Sequence, residues 1–142
     1  MPVQVDIDAL RVEAGPFASK LFESGYGEIL PGGDLKIEPF EALYLASKER
    51  LELTRGGKLL SFDEAVQYFL KKDPKIWLKF VIYSDLRDRG YIVKKGFTSK
   101  DVEFRVYERG DKPGQKPAKY IVRVLTEGSS LSVEELLKMI HY

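Results

Sequence analysis

FVIYSDLRDRGYIVKKGF, residues Phe80 to Phe97, contains the point at which the chain changes period. Up to Gly90 the pattern is helical, and after it the pattern is that of strands. Upstream, Asp73-Pro74 supplies a start signal: the Asp carboxylate can accept a free backbone N–H, and proline suits a first turn whose N–H has no partner anyway. Gly90 supplies the stop. The longest helix of the chain is expected between them, with Trp77, Phe80, Val81 and Ser84 on one face, read as core. A short strand follows at Tyr91–Val93. Val102, Phe104 and Val106 then alternate with Glu103, Arg105 and Tyr107, which predicts a half-buried strand. Residues 110–117 form a Gly/Pro-rich loop, and Lys119–Leu125 reads as a mostly apolar strand, expected to be central. Ser132 opens a last helix with the capping box SVEE.

The other half of the chain is read from its punctuation. Gly15-Pro16 opens a short helix with Phe17, Leu21 and Phe22 apolar, and Gly25 ends it. A hairpin spans Gly27–Ile37 through the turn PGGD. Pro39 starts a second helix whose apolar face includes Phe40, Leu43, Tyr44 and Ala46. LELT and KLL, joined through Gly56-Gly57, form a second hairpin. SFDE, Ser61 to Glu64, is a capping box in which hydroxyl and carboxylate each satisfy a free backbone N–H. The expected class is α+β: a small N-terminal α/β domain over residues 1–71, then a helix–strand–strand–strand–helix domain over 72–142.

Composition narrows the chemistry. The chain has 142 residues, 44% hydrophobic and 32% charged, enough for a core and a well-solvated surface. With no cysteine, disulfides, thiolate nucleophiles and Cys-based zinc sites are excluded; a single histidine, His141, excludes multi-His metal sites. No apolar run approaches the roughly 18 residues that span a bilayer. MPVQVDIDAL has no basic start followed by an apolar run, so no signal peptide is expected and a cytoplasmic protein is. Net charge is +1, yet Arg89 to Lys119 carries nine Lys or Arg against four Asp or Glu. That local excess can attract phosphates.

The opening stretch resembles the signature of archaeal tRNA-splicing endonucleases, of the form Y-x-V-Y-x-D-L-R-x-R-G-Y-x-V-K-x-G. Tyr83, Asp85, Leu86, Arg87, Arg89, Gly90, Tyr91, Val93, Lys94 and Gly96 match. The resemblance extends over GYGEI, LKIEPFEALYL and SFDEAV before it, and over EFRVYERG, KYIVRVLTEGSS and the last helix after it. It implies a nuclease-like second domain with a mixed sheet, and cleavage of precursor tRNA at intron boundaries without a metal or other cofactor. In that chemistry the 2′-hydroxyl attacks the adjacent phosphate. A base takes its proton, an acid protonates the leaving oxygen, and a cation stabilises the phosphorane; the family uses Tyr, His and Lys.

Tyr107, in VYERG, matches the family tyrosine. The histidine position ten residues on, in PAKYIV, is Pro117, which has no proton to give. The family lysine falls beyond Tyr142, so the second domain is expected to be shortened at its C-terminal end. The resemblance therefore implies a non-catalytic, structural subunit, with Tyr107 a relic on the polar face of its strand, solvated or bonded locally. Its partners would be a catalytic subunit, in an assembly of four family units, and bulge–helix–bulge precursor tRNA. The alternative is a stand-alone RNA-binding or regulatory module.

Arg109, Lys112, Lys116 and Lys119 surround the loop beside Tyr107 and are the phosphate-contact candidates. Arg87 and Arg89 are expected to brace the helix end and the adjoining strand. Asp101 and Glu103 suggest an acid-x-acid metal site, but alternation puts them with Arg105 on one polar face, as in any half-exposed strand, so no metal is expected. His141 aligns where the family often carries an Arg that grips a bulged base, and is read as incidental.

Overall fold

The computed structural model describes residues 2–97 and 102–124, and these build two compact units, Met1–Phe80 and Val81–Tyr142. The expected helix over residues 132 onward, Asp101 and His141 lie outside the described residues. The class is mixed α and β, as expected. The division between units falls inside a continuous helix, whereas the sequence reading places it after Lys71.

The first unit begins with two strands that the sequence reading does not anticipate, β1 (Val3–Asp6) and β2 (Arg11–Val12). Their signal was the alternation of Val3, Val5 and Ile7; Val5 and Ile7 are each only 1% exposed. The elements α1 (Pro16–Glu23), β3 (Glu28–Ile29), β4 (Leu35–Lys36), α2 (Pro39–Ser47), β5 (Leu51–Arg55), β6 (Lys58–Leu59) and α3 (Phe62–Lys72) follow where punctuation puts them. One sheet has the order β1-β5-β6, with β1 parallel to β5 from Val3 opposite Leu51 to Asp6 opposite Thr54. The second is antiparallel, β2-β4-β3.

Helix α2 is buried at every position from Phe40 to Leu45, so its apolar face is wider than the spacing suggests. The acid in that run, Glu41, is buried because its carboxylate accepts the N–H of Gly27 and the N–H of Glu38, both at 2.8 Å. On α1, Leu21 is buried but Phe22 is half-exposed. The SFDE capping box forms as read: Glu64 N–H donates to the Ser61 hydroxyl at 3.1 Å, and Ser61 N–H donates to the Glu64 carboxylate at 2.9 Å.

Helix α4 (Ile76–Asp88) starts just past Asp73, whose carboxylate accepts the N–H of Lys75 at 3.0 Å. Its buried positions are Ile76, Ile82, Tyr83 and Leu86. The expected core face of Trp77, Phe80, Val81 and Ser84 is instead only partly covered, with Trp77 41% exposed and packed edge-on to Phe62. Both faces of α4 carry apolar residues, so spacing alone does not choose between them. Gly90, at φ 95°, closes the helix: its N–H donates to Arg87 O, and Tyr91 N–H reaches Leu86 O.

In the second unit β7 (Ile92–Lys95), β8 (Val102–Tyr107) and β9 (Tyr120–Val124) form an antiparallel sheet in that order. Thus β8, not β9, is the central strand among the described residues. Both faces of β8 are covered: Val102, Phe104 and Val106 are buried, and so are Glu103 and Tyr107. Tyr83 of α4 packs on Phe104 at a ring separation of 6.1 Å.

Candidate functional site

The residues singled out by sequence converge on the β8 hairpin of the second unit. Tyr107 is the last residue of β8, opposite Ile92 on β7. It is 3% exposed, not solvated on a polar face as alternation suggests. Its hydroxyl is bonded locally, accepting from Arg105 Nη1 at 3.1 Å. Arg105 is itself fixed: its Nε donates to Lys95 O at 2.8 Å, and its guanidinium lies 5.2 Å from the centre of the Phe97 ring.

The loop from Glu108 to Lys119 returns the chain to β9, and Lys119 N–H donates to Val106 O at 2.8 Å to close it. Gly110 and Gly114 supply its positive φ angles. Pro117 stands exposed in this loop, with no ionisable side-chain proton. The loop cations divide into two kinds. Lys116 lies 3.5 Å from the Asp111 carboxylate, and Lys119 pairs with Glu108. The hydrogen bond to Glu108 is the main reason that the Lys119 ammonium is held above its ordinary pKa. Lys112 and Arg109 have no ion-pair partner among the described residues, and both are exposed. Arg109 is steered by packing: its Nη2 would be 3.1 Å from a β-carbon on Gly90.

Arg87 and Arg89 do brace the helix end. Arg87 Nη1 donates to Tyr91 O at 3.3 Å, and Arg89 Nε bonds Asp85 at 2.9 Å. Glu103 is held by its neighbours in the sheet. One carboxylate oxygen accepts the N–H of Phe97 at 2.6 Å, and the other holds Arg123 Nε at 2.7 Å. Sequence reasoning missed this bridge, and its signal was the register: Glu103 sits opposite Arg123 across β8 and β9.

Two family models match the chain. Residues 3–66 match the tRNA intron endonuclease N-terminal domain, and residues 76–142 match the tRNA intron endonuclease catalytic C-terminal domain. Among relatives, the tRNA-splicing endonuclease of Methanothermobacter thermautotrophicus is 34% identical over 90% of this chain and 74% of its own length. That of Methanopyrus kandleri is 35% identical over 89% of this chain and 71% of its own. That of Methanosarcina mazei is 37% identical over 89% of this chain, but the chain spans only 35% of its length.

Proposed function

Because this chain belongs to the tRNA intron endonuclease family, we propose that it acts in precursor-tRNA splicing as a supporting subunit that does not itself cut. The observation that carries this reading is Pro117. By its resemblance to the family it matches the position of the histidine; it stands in an exposed loop and has no proton with which to protonate a leaving oxygen. The burial of Tyr107 and its bond from Arg105 support the same reading. The substrate is bulge–helix–bulge precursor tRNA in the cytoplasm. The partner is a second family chain with an intact Tyr, His and Lys, in a hetero-oligomer of four family units. In it, Arg109, Lys112, Lys116 and Lys119 face phosphates, and backbone shape and extruded bulge bases are recognised more than groove edges.

The test uses the purified full chain and a synthetic bulge–helix–bulge RNA with EDTA present. No specific cut is expected from the chain alone. Co-elution with an intact relative, measured by light scattering, is expected when both are present. Specific cleavage by the pure chain would overturn the non-catalytic assignment, and a monomer indifferent to the relative would overturn the subunit role.

A further inference from the structure

We infer that Arg55 and Lys72, both held over the Tyr68 ring, form a second contact for RNA backbone phosphate, on the first unit. The inference rests on the RNA-substrate reading above but involves none of the loop residues named there. Tyr68, on α3, is anchored because its hydroxyl donates to the Asp8 carboxylate. Its fixed ring then collects two cations: Arg55 from the end of β5, at 5.0 Å from the ring centre, and Lys72 from the last turn of α3, at 4.8 Å. The two charges are thus no more than about 10 Å apart, by the sum of their distances to one ring.

Neither cation forms an ion pair among the described residues. One acid, Asp8, lies beside them; it accepts the Tyr68 hydroxyl and offsets part of the Lys72 charge. The arrangement runs against the local charge, since residues 1–80 carry eleven Lys or Arg and thirteen Asp or Glu. Two like charges beside one acid keep a net positive charge that an anion can meet. The Lys72 ammonium is stabilised chiefly by its hydrogen bond to Tyr68, so it remains charged. A phosphodiester offers what the pair lacks: oxygens for the guanidinium fork and for the ammonium. Both cations are exposed.

The experiment measures binding of labelled bulge–helix–bulge RNA to the full chain by fluorescence anisotropy across a salt series, for wild type and for Arg55→Gln with Lys72→Gln. Glutamine retains part of each stem on the ring and removes the charge. The slope of log affinity against log salt is expected to shrink by about 0.7–0.9 per lost contact, with affinity down at least about tenfold near 0.1 M salt. Lys20→Gln, an exposed cation elsewhere on the unit, is expected to leave the slope unchanged, and circular dichroism checks that each variant is folded. If wild type binds but the double variant keeps its full slope, this inference fails and the RNA reading stands. Weaker association with the intact relative at an unchanged slope makes the pair a protein contact and also overturns it. A wild-type chain with no salt-dependent RNA binding overturns both.

Discussion

A methyl group added at Gly96 would stand 2.3 Å from Cγ of Glu103 and 2.4 Å from its Oε1. Glu103 cannot swing aside, because its carboxylate is tied to Phe97 N–H and to Arg123. Gly96→Ala should therefore cost about 1–3 kcal/mol, the usual range for overpacking a filled site. Urea unfolding measures it, and wild-type stability would mean that Glu103 is free to move. Tyr107→Phe should behave differently. It removes one acceptor from Arg105, which keeps Lys95 O and the Phe97 ring, so the loss should be no more than about 1 kcal/mol. Cleavage by the assembled enzyme should stay within about twofold, whereas a loss of 10² or more would make this tyrosine a working base. The identity of Pro117 and the motif glycines could be read directly from the sequence. What Gly96 makes room for could not, since Glu103 meets it only through the pairing of β7 with β8.

At the scale of elements, punctuation was more informative than periodicity. The Ser61 box, the Gly56-Gly57 turn and the Gly90 stop formed where their chemistry requires, because each is a local solution to unpaired backbone groups. The buried face of α4 and the burial of Tyr107 were not legible. Both depend on what packs against the element, and a central strand such as β8 hides even its polar alternation. The capping box also predicts a pH effect. Bonds from the Ser61 backbone N–H, then its hydroxyl, hold the Glu64 carboxyl below its ordinary 4.5. A group with a lowered folded pKa contributes stability above its unfolded value and loses it as pH falls through the folded one. Wild type should thus lose melting temperature relative to Glu64→Gln as pH drops from 5 toward 3, because glutamine can accept the same bond without titrating. Melting curves that stay parallel over that range would remove the carboxylate from the account.

Over the whole molecule, the two compact units divide between Phe80 and Val81, within α4, where no linker composition marks a boundary. The charge balance, in contrast, was legible. Residues 81–142 carry twelve Lys or Arg against nine Asp or Glu, opposite in sign to residues 1–80. Phosphate attraction should therefore be strongest where this excess is not internally cancelled. On the 108–119 loop, Lys116 is partly offset by Asp111 at 3.5 Å, though a pair this exposed is weak. Lys112 has no carboxylate partner among the described residues. An unpaired ammonium releases a condensed counterion in full when it meets a phosphate, while a paired one displaces less. Lys112→Ala should accordingly lower the salt slope of RNA binding by about 0.7–0.9. Lys116→Ala should lower it by clearly less, and Asp111→Asn should raise affinity by freeing Lys116. Anisotropy titrations from 50 to 300 mM salt decide among these, and a larger effect at Lys116 than at Lys112 would show that ion pairing in this loop does not control its contact with RNA.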